Sequence, residues 1–126
     1  MLKKGMKISK EFTVNDSDTA LAIGSGTLEV LATPRIVQLV ENLCVILLKN
    51  DIDQVSTSVG SKFEINHVSP TYVGREFKIE VTLSSVEDRK LTFKFKATDQ
   101  GGEIANGTHV RYIVDTGRFL LNASMK

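Results

Sequence analysis

The segment from Ile36 to Leu48 constrains the fold more than any other part of the chain, because its composition is that of a helix apolar on almost every side. Only Gln38, Glu41 and Asn42 interrupt its apolar residues. A helix without a continuous polar face cannot lie on the surface of a globular protein, so other elements have to cover it. The sequence therefore predicts a helix at the centre of the fold.

The flanking residues indicate where this helix begins and ends. Thr33 can cap a helix through its hydroxyl group, and Pro34 is tolerated in a first helical turn. We expect the helix to end near Lys49–Asp51. Earlier in the chain, loose alternation over Met6–Val14 predicts an opening strand. The stretch Ala20–Ile23 is followed by a glycine-rich break, which indicates a flexible cover or an irregular strand.

After the helix, apolar residues recur with a period of two, which is typical of strands that bury one face. The alternation predicts four further strands, over Thr57–Ser69, Glu76–Val86, Leu91–Ala97 and Glu103–Val114. The connections between them are short, and short connections join antiparallel strands rather than parallel ones. We therefore expect hairpins at Thr71–Gly74, Glu87–Lys90 and Asp99–Gly102.

These elements predict an α+β fold in the order β-α-β-β-β-β. A sheet of about five strands needs one face covered, and the chain offers a single long helix to cover it. The economical arrangement is a curved antiparallel sheet wrapped around the central helix, with a second copy of the chain covering what stays exposed. The length of 126 residues predicts one domain over residues 1–126.

Charge and composition exclude several classes of function. The chain has 16 basic and 15 acidic residues and a formal net charge of +1, so we expect no electrostatic attraction to nucleic acid or to an anionic membrane. A single cysteine, Cys44, excludes an internal disulfide and reads as a core residue. No apolar run is long enough for a signal peptide or a transmembrane helix, which predicts a cytoplasmic protein.

Glu41 is the residue that points to chemistry. On a helical wheel it lies between Val37 and Leu48 on one side and Val45 on the other, so its carboxylate is expected in apolar surroundings. Burial of an unpaired carboxylate is costly and raises its pKa, which favours general acid–base or nucleophilic roles. A subunit interface or a backbone hydrogen bond would also accommodate a single glutamate in such a helix.

Four stretches of the chain resemble the fluoroacetyl-CoA thioesterase-like branch of the hotdog-fold acyl-CoA thioesterases. They are A-T-P-R-I-V-Q-L-V-E-N-L-C over residues 32–44, the strand and turn over 60–74, S-V-E-D-R-K-L over 85–91, and E-I-A-N-G-T-H-V-R over 103–111. The resemblance implies a hotdog fold. It also implies hydrolysis of an acyl-CoA thioester to the free acid and CoA.

The resemblance implies an active site formed by Thr33, Glu41 and His67, with Gly60 nearby. Glu41 would act as general base on water or as a nucleophile that forms a transient mixed anhydride. His67 would orient the attacking group and supply a proton, since its unperturbed pKa lies near neutral. Thr33 would contribute a hydroxyl hydrogen bond, and the N–H of Gly60 could approach the acyl carbonyl closely.

The spacing of Thr33 and Glu41 raises a geometric question. If both lie on one helix, their eight-residue separation places them roughly 12 Å apart along its axis, too far for a hydrogen bond. Either the helix starts after Thr33, or the site combines residues of two subunits. The second option agrees with the resemblance, which implies a homodimer with its active sites at the subunit interface. A tetramer stays open.

Substrate recognition is less constrained by the sequence. CoA carries phosphates, so basic residues are expected at the mouth of the groove. The candidates are Arg35, Arg75, Arg89, Lys90 and Arg111, of which Arg35 and Arg111 are taken as substrate-binding. His109 is expected to be a strand residue near the rim without a catalytic role. The segment Ala20–Ala32 has no aromatic residue, whereas the fluoroacetyl enzyme closes its pocket with phenylalanines there.

No cofactor is predicted apart from CoA as part of the substrate, because thiolate is already a good leaving group. There is no histidine pair at metal-ligand spacing and no second cysteine, so we expect no metal site. Two alternatives to the thioesterase remain. One is a non-catalytic module that binds or senses acyl-CoA. The other is a hotdog enoyl-CoA hydratase or dehydratase, although the Asp and His loop motif of those enzymes is missing near the helix start.

Overall fold

The computed structural model describes all residues from 1 to 126 and has one long helix and five strands. The elements follow the predicted order, with two additional short helices. They are β1 (Lys7–Thr13), α1 (Ala20–Ile23), α2 (Thr33–Leu48), β2 (Ser56–His67), β3 (Glu76–Glu87), β4 (Lys90–Asp99), β5 (Gly102–Asp115) and α3 (Thr116–Ser124), with a 3-10 turn at Asp16–Asp18.

The five strands form one antiparallel sheet in the order β1-β3-β4-β5-β2. The hairpins predicted at Glu87–Lys90 and Asp99–Gly102 join β3 to β4 and β4 to β5, as expected. The hairpin predicted at Thr71–Gly74 is wrong. The chain leaves β2 at one edge of the sheet and crosses to β3, which pairs with β1 and β4, so connection length alone did not reveal the neighbour.

Helix α2 lies against the concave face of the sheet and forms the centre of the core. Its buried residues are Ile36, Val40, Leu43, Cys44 and Leu48, and they pack against inward-facing residues of β3, β4 and β5. On β3 and β4 every second residue is buried, among them Ile79, Val81, Leu91 and Phe93. The predicted curved sheet around a central helix is confirmed.

An irregularity in β2 determines which of its side chains face the helix. Gly60 pairs with Arg111 of β5, while Lys62 pairs with the adjacent Val110, so Ser61 is an extra residue in the ladder. A β-bulge of this kind reverses the alternation of side chains beyond it. Ser58 before the bulge and His67 after it can therefore point to the same face of the sheet.

Three details differ from the sequence predictions. Thr33 is the first residue of α2, and the N-cap is Ala32, without a side-chain hydrogen bond. The capping role predicted for Thr33 is therefore wrong, because its hydroxyl is bonded elsewhere. Ala20–Ile23 forms the short helix α1, capped by the hydroxyl of Thr19, rather than an irregular strand. Helix α3 was not predicted, and none of its residues is buried.

No helix in the structure combines the length and apolar composition needed to cross a bilayer.

Candidate active site

Glu41 lies beside two basic side chains of β5. Its Oε2 atom is 3.6 Å from Nη1 of Arg111 and 3.8 Å from Nε2 of His109. The predicted apolar surroundings of Glu41 are therefore wrong, because the facing strand presents basic residues at this position. The side chain of Glu41 is 42% exposed, so a further group can approach the carboxylate.

Gly60 provides the space in which the Glu41 carboxylate lies. A Cβ atom at Gly60 would be 2.8 Å from Oε2 of Glu41 and 3.0 Å from Cε1 of His109, closer than side chains tolerate. The residue pairs with Arg111 directly across the sheet. Any side chain at this position would displace the carboxylate or the imidazole.

The guanidinium of Arg111 is held by hydrogen bonds on several sides. Its Nε donates to the hydroxyl of Ser58 at 2.9 Å, and Nη2 donates to the Ser58 carbonyl at 3.0 Å. Nη1 lies 3.1 Å from Nε2 of His109. The residue is buried, so these bonds replace the water that a charged side chain loses on burial.

His109 is buried between the sheet and α2, and its Nδ1 atom is held by a hydrogen bond in addition to the contact of Nε2 with Arg111. Nδ1 lies 2.7 Å from the carbonyl oxygen of Lys62, which can only accept a hydrogen bond. Burial lowers the pKa of His109 from its ordinary value, and the charge of Arg111 lowers it further, against the hydrogen bond to Lys62 and the charge of Glu41. His109 is consequently neutral near pH 7.

A second pair of predicted residues meets at the other end of β2. Thr33 Oγ1 lies 2.7 Å from Nδ1 of His67, which joins the first turn of α2 to the last residue of β2. The other ring nitrogen, Nε2 of His67, is buried without a hydrogen-bond partner. Burial lowers the pKa of His67 from its ordinary value, against the raising effect of an interaction with the backbone of Ser69. An unsatisfied buried nitrogen is costly, so Nε2 marks a position that needs another group.

The chain thus brings the predicted residues together in two places. Glu41 is grouped with Gly60 at one end of β2, and Thr33 is grouped with His67 at the other. Gly60 and His67 are separated by seven positions of an extended strand, which corresponds to roughly 20 Å. No single chain forms one site from all of these residues.

The two arginines taken as substrate-binding have different environments. The Nε of Arg35 donates to Asp18 at 2.7 Å, and its Nη1 donates to Gln38 at 2.7 Å, so Arg35 ties the segment before α2 to the helix. Arg111 is buried inside the fold rather than at the mouth of a groove. The predicted rim position of His109 is wrong as well, because His109 is 1% exposed.

The grouping of His109 and Arg111 had a signal in the sequence. Both lie at alternate positions of β5, so both point to the face that carries Ala105. The sequence shows this alternation, but two basic residues two positions apart in a strand are more typical of a face exposed to solvent. Hydrogen bonds to Ser58 and Lys62, together with the nearby Glu41 carboxylate on the facing helix, compensate that burial.

The structure offers neither a metal site nor a reactive thiol. No group of three or more His, Cys, Asp or Glu side chains is arranged to bind a metal ion. Cys44 is buried in the core, and burial raises the pKa of its thiol to about 12, against the lowering effect of Arg111. The thiol is therefore protonated and unreactive in the folded chain.

Comparison with known proteins identifies a family and several relatives that this chain resembles. The sequence model of the family described as fluoroacetyl-CoA-specific thioesterase matches residues 14–117. Fluoroacetyl-CoA thioesterase of Streptantibioticus cattleyicolor is 32% identical over 91 residues, which are 72% of this chain and 66% of the relative, slightly less than two thirds of its length.

Solved structures agree with this match. A structure of the fluoroacetyl-CoA thioesterase FlK superposes with a TM-score of 0.93 and 26% identity, over 100% of this chain and 98% of that one. A hot-dog-like protein of Thermanaerovibrio acidaminovorans superposes with a TM-score of 0.89 and 24% identity, over 95% of this chain and 89% of the other. The predicted hotdog fold and the predicted family resemblance are both confirmed.

Proposed function

Because the chain belongs to the fluoroacetyl-CoA-specific thioesterase family, we propose that it hydrolyses acyl-CoA thioesters in a site that two subunits build together. One subunit would contribute Glu41 and Gly60, and the other would contribute Thr33 and His67. The observation that carries this proposal is the buried, unpartnered Nε2 of His67, at the opposite end of β2 from the Glu41 carboxylate.

The position of β2 supports the two-subunit site. β2 pairs only with β5 and is an edge strand, so one row of its backbone groups is free to pair with another strand. Antiparallel pairing with β2 of a second copy, about a two-fold axis near Phe63, would bring the Gly60 end of one strand beside the His67 end of the other. A homodimer would pair the free backbone groups of β2 and would also complete the active site.

The reaction would use this chain's own side chains. Glu41 would either remove a proton from a water molecule that attacks the thioester carbonyl carbon, or attack that carbon itself through its carboxylate oxygen. In both routes the carbon–sulfur bond breaks and CoA leaves as a thiolate that takes up a proton from solvent, while the neutral imidazole of His67 would orient the attacking group through a hydrogen bond. In the second route water then hydrolyses the mixed anhydride, which releases the acid and restores the Glu41 carboxylate. Thr33 would hold the imidazole of His67 through the observed hydrogen bond. Backbone N–H groups near Gly60 could stabilise the oxyanion.

The acyl group of the substrate has a candidate position next to Glu41. A cavity of about 280 Å³ lies between the C-terminal half of α2 and β2, and Val45, Leu48, Ile52 and Ser58 contribute to its walls. Val45 is one helical turn beyond Glu41, so the cavity lies on the same side of α2 as the carboxylate. The lining is mixed, because Lys49, Asp53 and Gln54 also contribute to it, so an aliphatic or aryl acyl group would lie against the side formed by Val45, Leu48 and Ile52.

The segment before α2 argues against fluoroacetyl-CoA as the preferred substrate. No aromatic residue occurs between Ala20 and Ala32, and the apolar side chains of Leu21, Ile23 and Leu28 are exposed there. A cover without phenylalanines leaves more room for the acyl group. We therefore expect a short or medium acyl chain, or an aryl acyl group, to be hydrolysed best.

The proposal requires no cofactor, with CoA entering as part of the substrate, because the thiolate leaves readily without a metal ion. The protein would work in the cytoplasm, where acyl-CoA thioesters are made and consumed. Its near-neutral net charge of +1 gives no reason to expect nucleic acid or a membrane as a partner.

Hydrolysis over a panel of acyl-CoA thioesters, followed by release of free thiol, tests the proposed function. Cys44 adds little background to such an assay, since its buried thiol is protonated. The variants Glu41→Gln and His67→Ala should lose turnover while remaining folded, and Glu11→Gln, an exposed carboxylate on β1, should not. If fluoroacetyl-CoA is the best substrate, the expectation of a wider pocket for a larger acyl group is wrong.

The same panel separates the two alternatives. Binding of acyl-CoA without turnover of any thioester would indicate a binding or sensing module. Hydration of an enoyl-CoA without thioester hydrolysis would indicate a hydratase. Either result would contradict the thioesterase proposal.

A further inference from the structure

The Arg111 guanidinium is a buried positive charge whose orientation is determined by its neighbours. Ser58 accepts two of its hydrogen bonds, one through the hydroxyl and one through the carbonyl. These bonds occupy Nε and Nη2, which leaves Nη1 to face both His109 and the Glu41 carboxylate. The side of the guanidinium that meets Glu41 is therefore the side that His109 also contacts.

The donors and acceptors around His109 permit only one protonation state. Arginine only donates hydrogen bonds, so the nitrogen that faces it, Nε2 of His109, has to accept. The carbonyl of Lys62 only accepts, so Nδ1 has to carry the proton. A neutral imidazole protonated on Nδ1 meets both requirements. A second proton on Nε2 would place two donors 3.1 Å apart and break the contact with Arg111.

The plane of the His109 ring is fixed by two aromatic neighbours. Its centroid lies 4.8 Å from that of Phe63 on β2 and 6.3 Å from that of Phe93 on β4. The charged groups that face the imidazole are Arg111 on its own strand and Glu41 on α2, while Lys62 contributes only its carbonyl. The ring is therefore a rigid acceptor aimed at one guanidinium.

We propose that His109 is a positioning residue for the hydrolytic reaction, which accepts a hydrogen bond from Arg111 and so holds the guanidinium against Oε2 of Glu41. This inference rests on the proposed role of Glu41 as the reacting carboxylate. Nε2 of His109 has no proton, so its 3.8 Å approach to Glu41 is not an ion pair, and Arg111 is the cation that faces the carboxylate.

One consequence concerns the two oxygens of Glu41. Both basic side chains approach Oε2, and Gly60 leaves room for that oxygen. Oε1 is then the oxygen available to water or to the thioester carbon. Loosening of Arg111 would let the carboxylate rotate and would reduce the fraction of time in which Oε1 is correctly aimed.

Two substitutions of similar size separate a positioning role from a merely structural one. His109→Gln keeps an acceptor oxygen near the position of Nε2, whereas His109→Asn can donate to the Lys62 carbonyl but does not reach Arg111. We expect kcat of the Asn variant to fall roughly tenfold or more with KM changed little, and kcat of the Gln variant to stay within about threefold of the parent. Equal kcat values in the two variants would overturn the proposal.

The pH profile gives a second test that does not depend on the Asn variant folding. Protonation of His109 should release Arg111, so the parent should lose turnover at the acid end of its profile. The Gln variant cannot take up this proton and should retain a larger fraction of its own plateau activity at low pH. Profiles that superpose after scaling would contradict the proposal.

The tautomer of His109 can be measured whether or not the protein hydrolyses any thioester. Two-bond ¹H–¹⁵N correlation spectra of the parent at neutral pH should show a neutral ring protonated on Nδ1. A ring protonated on Nε2, or an imidazolium, would overturn the inference about His109. Absence of turnover over the whole thioester panel, with the expected tautomer, would instead count against the proposed function and hence against the catalytic consequence of the arrangement.

Discussion

The hydroxyl of Thr33 lies 2.7 Å from Nδ1 of His67, although 34 positions separate the two residues in the chain. The bond connects the first turn of α2 with the end of the edge strand β2. It leaves Nε2 of His67 as the buried atom without a partner. The hydroxyl of Thr33 thus bonds to His67 and does not cap α2, whose N-cap is Ala32.

Replacement of Thr33 should affect turnover more than stability. Thr33→Val keeps the shape of the side chain but removes the hydrogen bond to His67, so we expect kcat to fall roughly tenfold and the free energy of unfolding to fall by about 1 kcal/mol. Thr33→Ser retains the hydroxyl and should keep most of the activity. Steady-state kinetics and urea unfolding check both values, and equal kcat for the Val and Ser variants would contradict the role of the bond.

Alanine should have different effects at Gly60 and at Gly107, lowering turnover at the first and stability at the second. A Cβ atom at Gly60 would meet the end of the Glu41 side chain at 2.8 Å, so Gly60→Ala should displace the carboxylate and lower kcat strongly while the protein stays folded. A Cβ atom at Gly107 would lie 1.9 Å from the backbone carbonyl oxygen of Glu64, which cannot move without breaking the sheet. Gly107→Ala should therefore destabilise the fold severely. Thermal unfolding together with kinetics distinguishes the two variants. Normal activity in Gly60→Ala would contradict the claim that Gly60 provides the space for the Glu41 carboxylate.

Arg111 should not tolerate replacement by lysine. An ammonium group cannot reproduce the forked hydrogen bonds to Ser58 and the contact with His109, so Arg111→Lys should lower the free energy of unfolding by roughly 1–3 kcal/mol. Arg75→Lys, at an exposed position, is the matched control and should change it by less than about 0.5 kcal/mol. Denaturant unfolding measures both, and similar values for the two variants would show that the buried bonds contribute little.

Stability should decrease in mildly acidic solution. Burial lowers the pKa of both His67 and His109 below the value of 6.5 that applies in the unfolded chain. The unfolded chain then binds more protons, so the free energy of unfolding falls as the pH drops below 6.5 and levels off once the folded-state pKa values are passed. Urea unfolding at a series of pH values should show this slope, and His109→Gln should make it shallower. A flat dependence above about pH 5 would contradict the burial of neutral histidines.

The elements with strong periodicity were predictable from the sequence. The long apolar run of α2 and the regular alternation of β3 and β4 predict their positions to within a few residues. The bulge at Ser61 could not be predicted, because an extra residue in a strand has no compositional signal. Helix α3 was missed because none of its residues is buried, so no core-facing pattern marks it.

The site was predictable in its residues but not in its arrangement. Glu41 was singled out by its position in an apolar helix, yet that argument gave the wrong environment. The carboxylate faces Arg111 and His109, and the register between β2 and β5 places Arg111 opposite Gly60. Register is a property of strand pairing over long range, and the local pattern does not contain it.

The central claim, that each active site combines two subunits, is tested most directly by mixing two inactive variants. A heterodimer of Glu41→Gln with His67→Ala contains one site with both native residues and one site with neither. After subunit exchange at equal concentrations, the mixture should recover about a quarter of the parent's kcat per chain, since half of the dimers carry one intact site. A mixture in which heterodimers form but turnover stays at the level of the separate variants would contradict the account.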